Sequence, residues 1–165
     1  MSNTLKDLAE AFAGESQARN KYMAFAKKAD DEGYHQVARL FRAAAQAEQV
    51  HAINHLRAME GVKSTAENLQ AAISGENFEW VTMYPPFIED AKAEGHKRAQ
   101  TSFEWAWAVE KTHEALYREA LECLGKEDGS YEYYVCPFCG HTHARSAPDK
   151  CPVCGAPGSR FEKVA

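Results

Sequence analysis

Glu48-Gln49-Val50-His51 and Glu110-Lys111-Thr112-His113 decide how this chain reads. Residues three apart share one face of a helix, so each pair can present an oxygen and a nitrogen to one cavity. Each pair follows a lone glutamate, Glu15 or Glu76, by 33 or 34 residues. Two glutamates and two Glu-x-x-His pairs are the side-chain pattern of a two-metal carboxylate site inside a four-helix bundle. One such pair alone would fit an ordinary solvated helix face. Two, each with its own upstream glutamate at near-equal spacing, do not.

The surrounding residues, 4–125, are rich in Ala, Glu, Lys, Gln and Leu with helical periodicity, broken at 30–33, 61–64, 94–96 and 125–130. Thr4-Leu5-Lys6-Asp7 and Ser64-Thr65-Ala66-Glu67 read as helix starts, because the hydroxyl can accept from a free backbone N–H three residues on. Gly61 and Gly125 read as helix stops. Pro85-Pro86 should bend or divide the third helix, since proline removes a donor and clashes with the preceding turn. The region also repeats itself. Gly14-Glu15 aligns with Gly75-Glu76 at an offset of 61, and Gly33, Phe41, Glu48 and His51 align with Gly95, Phe103, Glu110 and His113 at 62. Each half is therefore a helical hairpin. At a rise of ~1.5 Å per residue, all four glutamate levels lie roughly 22–28 Å from their turns, which brings them to a common height.

In each helix the glutamate occupies a position on the apolar stripe, as in Leu5, Leu8, Phe12, Glu15, Arg19, Tyr22. Buried unpaired carboxylates cost several kcal/mol each, and four at one height would unfold a bundle of typical stability, ~5–15 kcal/mol. Arg19 is one cation and cannot serve them all, whereas two metal ions can. Glu79 lies one turn after Glu76, where the first hairpin has Ala18. Spacing alone leaves it either an extra ligand or a surface glutamate.

After Gly125 the composition changes. Cys136-Pro-Phe-Cys139-Gly and Cys151-Pro-Val-Cys154-Gly are separated by eleven residues. Four thiolates in two such turns make a tetrahedral sulfur site, filled by zinc as a structural ribbon or by iron as a one-electron carrier. On spacing alone zinc is the more common outcome. His141 and His143 read as loop residues beside a complete ligand set. The fifth cysteine, Cys123, reads as a small packing residue. The expected architecture is an all-α four-helix bundle over residues 1–128, followed by a small β domain over 131–165.

Acidic residues number 24 against 19 basic ones, a net charge of −5, which excludes a basic nucleic-acid stripe. No apolar signal core opens the chain and no run reaches the length of a membrane span. The expectation is a cytoplasmic protein with no nucleic-acid or membrane partner.

With both sites placed, the whole chain resembles the rubrerythrin family, a ferritin-like bundle with a rubredoxin-like tail. The resemblance rests on Ala11-Phe12-Ala13-Gly14-Glu15-Ser16-Gln17-Ala18-Arg19, both Glu-x-x-His pairs, Gly75-Glu76-Asn77-Phe78-Glu79 and the Cys-Pro-x-Cys-Gly turns. It implies two non-haem irons on Glu15, Glu48, His51, Glu76, Glu79, Glu110 and His113. Glu48 and Glu110 would bridge, and one iron would move between His51 and Glu79 with redox state. It further implies that Tyr22 and Tyr84 hydrogen-bond ligand carboxylates, and that Cys136, Cys139, Cys151 and Cys154 hold iron, the short gap between the pairs leaving zinc as the alternative. The implied activity is reduction of hydrogen peroxide to water. Electrons would come from an NAD(P)H-dependent reductase or a rubredoxin, and the assembly would be a homodimer or larger. A ferroxidase of ferritin type and a non-enzymatic electron carrier with a zinc ribbon are the alternatives. From His113 to Leu124 is ~16 Å of helix, so the four-cysteine site of the same chain is expected to lie well beyond contact range of the carboxylates.

Overall fold

The computed structural model describes residues 3–126 and 130–164. The chain divides into two compact units, Met1–Lys63 and Ser64–Ala165. The first holds α1 (Asn3–Asp31) and α2 (His35–Ala58). The second holds α3 (Thr65–Phe78), a π-helical turn (Glu79–Met83), α4 (Tyr84–Ala93) and α5 (Lys97–Cys123). It then continues into β1 (Tyr133–Val135), β2 (Thr142–Ala144), a 3-10 turn (Gly158–Arg160) and β3 (Glu162–Lys163). Both expected hairpins and the small β domain are present. The expected domain boundary at residue 128 lies outside the described residues.

In the first unit the buried residues of the hairpin are alanines, among them Ala26, Ala29, Ala38, Ala45 and Ala52. Small side chains bring two helix axes close. Gly33 takes φ +82°, and the N–H of Tyr34 donates to the Ala29 carbonyl at 2.8 Å. The second hairpin repeats this device 62 residues on, with Gly95 at φ +69° and His96 N–H on the Ala91 carbonyl at 2.9 Å. Left-handed backbone at these two positions closes each helix end, which glycine allows without steric cost.

The duplication extends to an aromatic trio. Phe25 and Phe41 stand 5.6 Å apart in the first hairpin, with Tyr22 6.1 Å from Phe41. Phe87 and Phe103 stand 5.7 Å apart in the second, with Tyr84 6.3 Å from Phe103. These pairs are 62 apart, whereas Glu15 and Glu76 are 61 apart. The second hairpin thus carries one extra residue between Glu76 and Tyr84. That residue is absorbed by the π turn Glu79–Met83, since a π turn is an α-helix with one residue inserted. Trp107 Nε1 donates to the carbonyl of Trp80 within this turn at 2.8 Å.

The prolines do not break the chain where they stand. Pro85 and Pro86 occupy the first turn of α4, where a missing N–H costs nothing; the departure from α geometry comes earlier, at Glu79. Ser64 caps α3 as the sequence suggests: Glu67 N–H donates to Ser64 Oγ at 3.4 Å, and Ser64 N–H to Glu67 Oε2 at 3.2 Å. Other boundaries need correction. The helix already includes Asn3, so Thr4 lies inside its first turn. At the end of α2 it is Glu60 that turns left-handed, φ +56°, and Gly61 follows with its N–H on the Leu56 carbonyl at 2.9 Å. Gly125, at φ +81°, is the stop expected of it.

The small sheet has the order β2-β1-β3. Its antiparallel register sets Tyr133 opposite Ala144 and Val135 opposite Thr142. His143 faces Tyr134 across this ladder, so it is a strand residue and not a loop residue. No helix among the described residues is long and apolar enough to cross a membrane.

Candidate metal centres

Each helical unit builds a triad of two carboxylates and an imidazole. In the first, His51 Nδ1 lies 2.9 Å from Glu48 Oε2 and 3.8 Å from Glu15 Oε1. In the second, His113 Nδ1 lies 2.7 Å from Glu110 Oε2 and 3.9 Å from Glu76 Oε1. In both triads the ligand atoms fall within 4.8 Å of one another. Near-identical geometry follows from the sequence repeat, because Glu and His three apart on one helix meet a glutamate from the antiparallel helix at the same height. Two hard oxygens and one nitrogen suit iron among the first-row metals.

Electrostatics in the second triad show what metal binding must relieve. Burial raises Glu76 to about 7, helped by a hydrogen bond and repulsion from Glu110. Burial, then the Glu110 charge, also raises Glu79, so it stands among the carboxylates of the second unit, and its helix turn is the π turn. Burial raises the Tyr84 phenol, with further contributions from Glu79, Glu110 and Glu76. His113 is raised first by its bond to Glu110, against the effect of burial. Tyr22 packs against Phe25 and Phe41.

A neighbouring carboxylate escaped the sequence reading. Glu114, 8% exposed, accepts from Trp80 Nε1, Asn77 Nδ2 and the Arg118 guanidinium. The Trp80 bond, then Arg118, holds its pKa low. It sits one residue after His113, and the signal that could have found it is Arg118 four residues on. It ties α3 and the π turn to α5, and its charge is already compensated.

In the tail, Cys136 Sγ is 3.6 Å from Cys154 Sγ and Cys139 Sγ is 3.5 Å from Cys151 Sγ. A metal with ~2.3 Å bonds to four tetrahedral sulfurs needs edges of ~3.8 Å, so the four thiols fit one ion. The two turns are copies. Gly140 (φ +82°) and Gly155 (φ +78°) donate to the Cys136 and Cys151 carbonyls at 2.9 and 3.0 Å. Burial works to raise Cys151, but backbone N–H groups of Cys154 and Val153 and the neighbouring thiols bring it down to about 7. Such donors favour a thiolate. His141 is buried with neither ring nitrogen hydrogen-bonded, and burial, then His143, lowers its pKa.

The cysteine domain touches the second triad, a contact that helix length alone did not lead one to expect. His113 Nε2 lies 2.9 Å from Thr142 Oγ1. Strand β2 lies beside α5. A crevice of about 300 Å³ there is lined by Leu69, His113, Leu116, Tyr117, Tyr133 and Thr142. Counting helical rise past His113 says nothing of where β2 packs.

Comparison with known proteins covers both parts of the chain. Residues 6–121 match the rubrerythrin family model, and residues 134–162 match that of the rubrerythrin rubredoxin-like domain. A rubrerythrin of Porphyromonas gingivalis is 40% identical, over 99% of this chain and 90% of that protein. Nigerythrin of Nitratidesulfovibrio vulgaris is 35% identical, over 98% and 86%. A solved structure of fully reduced, all-ferrous nigerythrin aligns with a TM-score of 0.60 at 34% identity, covering 99% of this chain and 88% of that one. Two carboxylate–histidine triads and a four-cysteine cluster on one chain are the metal equipment of a di-iron protein with its own electron-carrying domain, and the chain belongs to the rubrerythrin family.

Proposed function

We propose that the protein reduces hydrogen peroxide to water at a di-iron site, and that the four-cysteine site, holding iron, returns the electrons. The reading is carried by the contact between His113 of the carboxylate triad and Thr142 of the cysteine domain, which has a use in electron supply and none in iron storage. The family's peroxidase role supports it. Glu15, Glu48 and His51 would serve one iron, Glu76, Glu110 and His113 the other, with Glu48 and Glu110 bridging and Glu79 as the alternate ligand to His51.

Iron held by these residues in the reduced state would supply the two electrons that cleavage of the O–O bond requires. The remaining work is proton management. Two waters from one peroxide take up two protons. Glu79, raised first by burial and then by Glu110, can carry a proton to a departing oxygen when it is not a ligand. Tyr84 stays protonated and can donate its hydroxyl hydrogen bond within the site. The external donor would be an NAD(P)H-dependent reductase, directly or through a separate rubredoxin.

The test is anaerobic. Fully reduced, iron-loaded protein receives one equivalent of peroxide per di-iron site, against an equal dose of oxygen. Rapid appearance of the oxidised di-iron spectrum with peroxide and slow appearance with oxygen is expected. Faster reaction with oxygen would instead favour a ferroxidase. In Cys139→Ser the single oxidation should survive while NAD(P)H-linked turnover is lost.

A further inference from the structure

We propose that Glu114 is a positioning residue for Glu79: one buried carboxylate on α5 holds the side chains of Asn77 and Trp80, on either side of Glu79 in the chain, and so fixes the turn from which Glu79 reaches the second triad. The inference rests on the reading of Glu79 as an alternate ligand given above and concerns what holds that ligand in place.

The repeat points to Glu114 first. The second hairpin carries three features that the first lacks. Glu79 stands where the first has Ala18, at the offset of 61, and Glu114 stands where it has Ala52, at 62. The π turn Glu79–Met83 has no counterpart in α1, which runs as unbroken α-helix from Asn3 to Asp31. An extra acid, an irregular turn and a buried anchor thus occur together on one hairpin. Ala52 is itself buried, so the first hairpin makes an apolar contact at this position. A carboxylate in the same place is costly unless donors fill it.

The turn supplies those donors. Asn77 Nδ2 lies 3.3 and 3.2 Å from the two Glu114 oxygens, and Trp80 Nε1 donates to Oε2. Arg118 Nε donates to Oε1 at 2.9 Å and brings the compensating charge. Residues three apart share a face of a helix. Asn77 and Trp80 therefore form the face tied to α5, while Glu76 and Glu79, also three apart, form another. Burial and then Glu110 raise both of these carboxyls, so their face lies toward Glu110. The residue inserted in a π turn can be absorbed one position earlier or later in a helix, and each slip turns the residues between by about 100°. The bonds from Glu114 to both sides of Glu79 fix that choice. Trp107 Nε1 holds the Trp80 carbonyl from the main-chain side. With the backbone pinned, the Glu79 side chain is the part left to move.

Glu114→Gln tests this, since a carboxylate only accepts, whereas an amide turns two N–H donors toward Asn77, Trp80 or Arg118. In the reduced, iron-loaded protein, amide hydrogen exchange over residues 77–84 should be at least about tenfold faster, as expected when a hydrogen bond to a charged group is lost. Iron content should equal that of wild type. The oxidised visible spectrum and the di-iron midpoint potential should shift toward those of Glu79→Ala, the potential rising because loss of an anionic ligand disfavours the ferric state. Added to Glu79→Ala, the substitution should shift neither further. Should Glu114→Gln fail to fold, Trp80→Phe removes one donor, leaves Glu114 its bonds to Asn77 and Arg118, and should give the same shifts in smaller measure. Wild-type exchange over the turn, or an unchanged oxidised spectrum and potential, would overturn the inference. So would a shift that persists without Glu79, the mark of a merely structural role. A Glu79→Ala protein with the wild-type spectrum and potential would instead overturn the reading of Glu79 as a ligand.

Discussion

His113 Nε2 and Thr142 Oγ1 are 2.9 Å apart, while the other ring nitrogen of the same histidine faces Glu110 and Glu76. One imidazole thus spans from the carboxylate triad to the strand that follows the first cysteine turn. Thr142 Oγ1 also lies 3.4 Å from the Gly140 carbonyl, one residue beyond Cys139. A hydrogen bond to the distal nitrogen fixes the ring's orientation and its tautomer, and loss of such a partner typically costs about 10–100-fold in activity or metal affinity. Thr142→Val keeps the shape and removes the hydroxyl. Re-reduction of the oxidised di-iron spectrum, followed by stopped flow from a pre-reduced four-cysteine site, should slow by about tenfold. The first oxidation by peroxide should be unchanged. An unchanged re-reduction rate would show that electrons do not depend on this contact.

The pH dependence of the metal-free protein should run opposite to that of the loaded one. Glu76 binds its proton more tightly in the fold, near 7, than at its ordinary 4.5. The folded state then holds more protons than the unfolded chain between these values, so this contribution is full below about 4.5 and is lost as pH rises through 7. Glu79 is raised likewise and His113 is raised above 6.5, and both act in the same direction. Thermal melts of the metal-free protein should fall from pH 4.5 to 7, and the slope should flatten in Glu76→Gln. With iron bound, protons are displaced by the metal, and melting temperature should rise over the same range. A metal-free protein that gains stability across this window would contradict the assigned environment of Glu76.

Much of this was legible before any coordinates. The Glu-x-x-His pairs, the turn glycines Gly33 and Gly95, and the cysteine turns each encode a local geometry that depends on residues close in sequence. The contact of Thr142 with His113 does not, because it depends on where strand β2 packs. The π turn was half visible: the shift of the repeat from 61 to 62 marks an inserted residue, and only the aromatic trios show that it falls between Glu76 and Tyr84. Glu114 was hidden because a buried acid satisfied by Trp80, Asn77 and Arg118 looks in sequence like any other helix glutamate.

The π turn needs support for the carbonyls it releases, and Trp107 gives it. Trp107 Nε1 reaches the Trp80 carbonyl at 2.8 Å, and Lys111 Nζ lies 3.3 Å from the Trp107 ring centroid. Trp107→Phe retains most of the packing and leaves that carbonyl without its donor, at a cost of about 1–3 kcal/mol. Denaturant unfolding should show the loss. Stability equal to wild type would mean that water replaces the indole without penalty.

Glu60 offers the converse change. It is a non-glycine residue at φ +56°, followed directly by Gly61, so the glycine stands one position late for the left-handed step. A side chain there carries a steric cost of roughly 1–2 kcal/mol that glycine lacks, set against the greater freedom glycine gives the unfolded chain, up to about 1 kcal/mol. Glu60→Gly should therefore raise stability by about 0.5–1 kcal/mol, the balance of these two effects. The side chain of Glu60 is exposed and belongs to neither triad, so iron content and peroxide turnover should not change. A destabilised Glu60→Gly with normal iron content would mean that the carboxylate makes a contact in the assembled protein that outweighs the backbone gain.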